Sequence, residues 1–336
     1  MARNQIRCNR DDASLVGKNL AETSDAKSRT RATAAHVRLN RKICAAAEVG
    51  LQRMLEIVQS CRAEMSLVNI STAWHCLARM DADGKQVCDV RTDPRIATLQ
   101  EQTKLLLSRH VASSPSQKDD PHPRCVSTIT WSCAKLRIHD KSMMTTLGDL
   151  ALRWLALFKP FELANVLWGF AKLQLGHAPF FQGAHDHILQ GVQLFSTRSL
   201  SMVGWAFATM RFRPCRGLLC NMTDAFVLGL ISEDGEANPV TIANMVWALA
   251  TARVHTKKEA LLAIGNVAST VLKNFKAHEL SITLWAFARL NSCHNGLFTK
   301  AANLLCQSQR LRNEIHTQGI ANLLWAFARF GSECHK

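Results

Sequence analysis

Three kinds of side chain recur in this sequence at spacings that could bring them onto one surface. Trp131, Trp168, Trp205, Trp247, Trp285 and Trp325 are separated by 37, 37, 42, 38 and 40 residues. Four residues after each ring stands a polar side chain: Lys135, Lys172, Thr209, Thr251, Arg289 and Arg329. Three residues before each ring stand Thr128, Asn165, Met202, Asn244, Ile282 and Asn322. On a helix the −3 and +4 positions are two turns apart and share a face. Cations there could neutralise phosphates, amides could bond base edges, and indoles could stack bases. The candidate RNA-binding set is therefore Lys135, Lys172, Arg289, Arg329, Asn165, Asn244 and Asn322. Each has a competing structural account. Ala or Ser at −4 and +3 lies within about 60° of the ring on the helical wheel, which favours the six tryptophans as a structural repeat core. The amides could instead bond backbone between repeats, and that role is favoured for them. The cations could be the solvated edge of a helix; as an aligned series, the two accounts weigh equally.

The elements that must carry these residues are visible as repeats. Leu163-Ala-Asn-Val-Leu-Trp168-Gly-Phe-Ala-Lys-Leu173 and Leu280-Ser-Ile-Thr-Leu-Trp285-Ala-Phe-Ala-Arg-Leu290 are two of six copies. Leu, Ile or Phe mostly fills −5, −1, +2 and +5, a helical spacing. The −5, −2 and +2 positions form an apolar face for a partner helix, and −3, +4 and +1 form the narrow remaining stripe. A degenerate seventh copy surrounds Trp74, one residue out of register after the tryptophan, while Trp154 stands outside the series. Between motifs, Ala260, Leu261, Ile264, Ala268, Val271, Leu272 and Phe275 recur at steps of three and four, predicting a second helix. Equivalent helices are expected over Met143–Phe158, Pro179–Phe195, Arg216–Ile231 and Leu297–Leu311. Pro160 and Pro239 mark motif-helix starts, and Pro179 the start of a second helix. The expected fold is all-α: an α-solenoid of stacked helix pairs, six to seven repeats of 37–42 residues.

Composition narrows the function classes. The 336 residues carry a formal charge of +15, with 41 Lys and Arg against 26 Asp and Glu, which suggests an anionic partner. The most apolar short run, Leu150–Phe158, contains Arg153 and falls far below the ~18–20 residues of a membrane span. Twelve scattered cysteines without a CxxC pair point to a reducing compartment and to thiols used as small buried hydrophobes. His185-Asp-His187, Cys293-His294 and Cys334-His335 lack metal-ligand spacing, so no metal is expected. Asp81-Ala-Asp83-Gly84 has neither the glycine placement nor the closing glutamate of a calcium loop. The nucleotide, hydrolase and kinase signatures are absent, so no enzyme activity and no cofactor are expected.

Four segments are distinguished. Residues 1–42 hold 10 Lys and Arg with 4 Asp and Glu and little apolar periodicity, and read equally as a disordered basic tail or a targeting segment. Residues 43–112 form the degenerate N-terminal unit, 113–124 a flexible loop, and 125–336 the main array. The loop Glu233–Asn238 accounts for the 42-residue spacing.

The Ala-Asn-x-Leu-Trp-Ala-Phe-Ala sentence, complete at Ala321–Ala328, resembles the octotricopeptide and heptatricopeptide helical repeats and the related leucine-rich region of FAST-kinase-like proteins. The resemblance covers Cys125 to Gly331 and extends more weakly back to Ile43. It implies an α-solenoid that binds organellar single-stranded RNA and acts in its processing, stability or translation, in a mitochondrion or plastid, with other proteins of an RNA-processing complex as further partners. Many relatives end in a nuclease-like RAP domain; none is expected in this sequence, and the family name implies no kinase chemistry. The alternative is a cytoplasmic or organellar protein-interaction scaffold without nucleic-acid binding. No membrane partner is expected.

Overall fold

The computed structural model describes residues 34–82, 90–112, 123–232, 237–254, 256–292 and 294–334. Two compact units divide the chain after Gln102. The first holds α1 (34–49), α2 (Leu51–Cys61) and α3 (Leu67–Ala82). Next, α4 (Pro94–Ala112) begins in the first unit and ends in the second. The second unit continues with α5 (Pro123–Lys135), α6 (Lys141–Arg153), α7 (Pro160–Leu173), α8 (Ala178–Gln190), α9 (Thr197–Thr209) and α10 (Cys215–Ile231). It ends with α11 (Pro239–Ala252), α12 (Lys258–Thr270), α13 (Ala277–Arg289), α14 (Asn295–Gln307), α15 (Gln309–Glu314) and α16 (Thr317–Cys334). Among the described residues there is no strand.

The motif helices α5, α7, α9, α11, α13 and α16 pack side by side in that order, and α6, α8, α10, α12 and α14 form a second layer in the same order. This is the expected α-solenoid. Pro160 and Pro239 open α7 and α11 at their first residues, where a missing N–H costs nothing. Buried Glu162 and Glu279 hold the first turns of α7 and α13 by accepting from the backbone N–H of Lys159 (3.1 Å) and Lys276 (2.9 Å). Three of the expected second helices are shorter than their periodicity suggests. α6, α8 and α12 end in a turn of 3-10 helix, after which Phe158, Phe195 and Phe275 are extended and buried. These phenylalanines anchor the chain as it turns into the next motif helix.

Consecutive helices of the second layer approach closely where glycine allows it. A Cβ on Gly148 or Gly265 would overlap the imidazole of His177 or His294. Both histidines stand at helix N-termini. His177 Nδ1 accepts from Phe180 N (3.2 Å) while Nε2 donates to Asp149 (3.1 Å). His294 Nδ1 accepts from Leu297 N (3.0 Å) while Nε2 bonds Asn266 Oδ1 (3.0 Å). Their ring nitrogens are thus engaged in fixing the fold.

Several sequence boundaries shift. Residues 34–42, assigned to the basic tail, form the first turns of α1; the rest of that tail lies outside the described residues. So do 113–122 of the expected 113–124 loop, whereas Pro123 and Arg124 begin α5. Residues 233–236 of the long-spacing loop, Asp83 and Gly84 of the calcium-like sequence, and Cys293 and His335 also lie outside them. No helix among the described residues is long and apolar enough to cross a membrane.

Candidate functional site

Exposure along the motif helices defines the surface they share. The −4 and +3 residues are buried from α5 through α13, where adjacent helices meet: Ala164 and Ala171 on α7, Ser281 and Ala288 on α13. The +1 residue, assigned to the polar stripe from sequence, is buried in all six motif helices; a Cβ on Gly169 would strike Thr130 of the preceding helix. The outward face therefore consists of −7, −3, the tryptophan itself and +4.

The six tryptophans, expected as a structural repeat core, lie at the edge of that core and reach its surface. Trp131, Trp168, Trp205, Trp247 and Trp285 are half-buried, and Trp325 is 41% exposed. Three neighbouring pairs of rings come into contact and form the rungs of a ladder along this face. Ring centroids are 6.5 Å apart for Trp168 and Trp205, 6.3 Å for Trp205 and Trp247, and 6.5 Å for Trp285 and Trp325, with planes tilted by 31–43°. The small −4 and +3 residues let the helices approach, and the rings lean towards each other above the seam.

The +4 cations flank this ladder. Lys135 lies 5.9 Å from the Trp131 ring centroid, Arg289 5.4 Å from Trp285 and Arg329 5.8 Å from Trp325. Arg289 Nε also donates to Ala250 O (3.2 Å) and Arg329 Nε to Ala288 O (3.1 Å). Each arginine thus caps the C-terminal carbonyls of the preceding motif helix, where a cation also complements the helix dipole. That is more than a solvated edge, and it fixes the guanidinium beside the ring; Arg329 Nη2 also donates to Asn291 Oδ1. Lys172 is exposed on the same face. Thr209 and Thr251 occupy this row on α9 and α11, so its charge is interrupted there.

The −3 amides do not take the bridging role favoured from sequence. Asn165 and Asn244 are half-buried, and their side chains bond no described residue. Asn322 Oδ1 accepts from Gln318 on its own helix (3.1 Å). The structure thus brings the seven candidate residues and the six rings onto one face, with Arg124 and Arg198 exposed at −7.

Two features escaped sequence reasoning. The motif in α3 is in register after all. Ser66 and Asn69 form a reciprocal cap, Ser66 N donating to Asn69 Oδ1 (3.0 Å) and Asn69 N to Ser66 Oγ (3.4 Å), nine and six residues before His75. Lys159 and Glu162 stand at those distances before Trp168. His75, exposed, holds the ladder position; Trp74 stands at −1 and is fully buried. The second feature is a left-handed residue six positions after the ring: Arg137, Gln174, Arg211, Arg253 and Asn291, with φ of 52–56°. Polar residues at the spot where a glycine usually stops a helix were the available signal.

Burial pushes the thiols of Cys76 and Cys215 up to about 11, and that of Cys133 higher still, so they stay protonated at neutral pH. His185 donates to Asp186 (2.7 Å), holding that carboxyl below its usual range, and packs against Phe207 and Phe212. Among the described residues no cluster of three or more His, Cys, Asp or Glu could hold a metal. The chain matches no family model and no curated protein.

Proposed function

We propose that the array binds single-stranded RNA along the tryptophan ladder. The observation that carries this reading is the partly exposed ladder with cations and the unbonded amides of Asn165 and Asn244 beside it. Aromatic rings in solvent contact offer stacking to any base, worth about 1–3 kcal/mol each. The ring step of 6.3–6.5 Å is roughly twice the ~3.4 Å rise per nucleotide of a duplex strand, which favours a strand whose bases are splayed apart. Lys135, Lys172, Arg289 and Arg329 would meet phosphates, and Asn165, Asn244 and Asn322 base edges, with one base per repeat as in other helical readers. Met202 and Ile282 offer no hydrogen bond at −3, so base preference would be concentrated at the asparagine repeats. The family resemblance adds that the RNA is organellar and that its processing, stability or translation is the process served, in a mitochondrion or plastid.

The test is a binding titration with a labelled oligouridylate of about 20 nucleotides at several salt concentrations. Four to six phosphate contacts give log K falling with log salt at about 0.7 per contact. No affinity at low salt would remove this reading and leave the protein-interaction scaffold.

A further inference from the structure

The C-terminal ends of the motif helices open onto two adjoining clefts, of about 530 and 840 Å³, whose walls share Arg253 and Arg289. The smaller is lined by Arg211, Arg213, Arg216, Arg253 and Arg289, with no carboxylate among its lining residues. The larger adds Arg329 and Lys258, against Glu259 alone. Trp325 also lines it, so the end of the ladder and the cleft form one surface.

Two observations indicate that this charge is a built feature. The first is backbone strain. Arg211 and Arg253 close α9 and α11 at φ 52° and 53°. Glycine or asparagine fits this conformation more easily; most other residues cost roughly 1–2 kcal/mol there. Such strain persists where the side chain has a use. The second is anchoring. Arg216 Nε on α10 donates to Ala252 O at the end of the following motif helix α11 (3.2 Å), while Arg289 and Arg329 donate to carbonyls of the preceding motif helix. Nε of each guanidinium holds it in place, and Arg329 Nη2 also donates to Asn291 Oδ1; a planar fork so held suits phosphate oxygens in pairs. Crowded cations repel one another, and a polyanion in the trough relieves that repulsion.

We propose that this arginine trough is a phosphate-binding site that grips consecutive phosphodiesters of the strand where it leaves the ladder at Trp325. The proposal rests on the RNA reading above for the identity of the ligand; a free polyphosphate carries the same chemistry. The test compares the full chain with the triple variant Arg211→Asn, Arg213→Gln, Arg253→Asn. Asparagine tolerates the left-handed backbone, and none of these three residues is an anchoring arginine, so the variant should melt no lower than the parent.

With the labelled oligouridylate, the variant should bind about tenfold or more weakly near 0.1 M salt, and its salt slope should fall by about two. Wild-type affinity and slope in a folded variant would overturn the trough and leave the ladder reading intact. If the parent binds no RNA, calorimetric titration with tripolyphosphate decides. Binding by the parent that is lost in the variant supports a phosphate site without the ladder; no binding by either overturns it.

Discussion

Helix α3 of the first unit and the motif helices of the array follow the same pattern, yet they treat tryptophan in opposite ways. On α3 the ring stands one residue early, at the position Leu284 holds on α13, and is fully buried. On α7, α9, α11 and α13 it stands where α3 has His75, partly exposed to solvent. One residue is 100° of helix, enough to move the largest side chain from surface to core. Arg79 keeps the +4 position, so the outward face of α3 retains its cation but not its ring. The position, and not the residue type, decides what a tryptophan does in this fold.

The largest expected effect is at the buried ring. Trp74→Ala should destabilise the first unit by about 3–5 kcal/mol in chemical denaturation. Trp205→Ala and Trp247→Ala should each cost less than that, while weakening RNA binding by about 1–3 kcal/mol in a titration. Equal stability losses at Trp74 and Trp205 would break the contrast. Gly265→Ala tests the contact between α12 and the start of α14 in the second layer: overlap with His294 should lower stability by about 1–3 kcal/mol in the same denaturation assay. His75→Trp restores a ring to the exposed position of α3 and should change stability by no more than about 0.5 kcal/mol.

A further small effect is electrostatic and belongs to the first unit. Arg95 donates to Asp93 (2.6 Å) and holds its carboxyl below the usual range. The pair's contribution is complete above the ordinary aspartate range and disappears as pH falls through the lowered folded value. Asp93→Asn should therefore cost no more than ~1 kcal/mol at neutral pH, with the difference vanishing in acid; melting curves against pH check this.

Much of the fold was legible because the motif repeats six times. Pro160 and Pro239 marked true starts, and the apolar steps from Ala260 to Phe275 marked a real helix and the turn beyond it. The ladder was not, for a physical reason. Small residues at −4 and +3 do mean close packing, but they pack helix against helix beneath the ring rather than over it. The angular wheel gives the direction of Trp205 and not the height of its neighbours. The α3 register was hidden because alignment was anchored on Trp74, whereas the cap at Ser66 and Asn69 fixes it on His75. Arg211 and Arg253 were passed over because helix ends are sought by glycine.

The central claim is that the exposed rings, rather than charge alone, hold the RNA. Its most direct measurement compares oligouridylate affinity for the parent and for Trp168→Leu, Trp205→Leu, Trp247→Leu combined, which changes no charge. The account predicts at least about a hundredfold loss of affinity with helicity and salt slope retained. A folded triple variant that binds as tightly as the parent would contradict it.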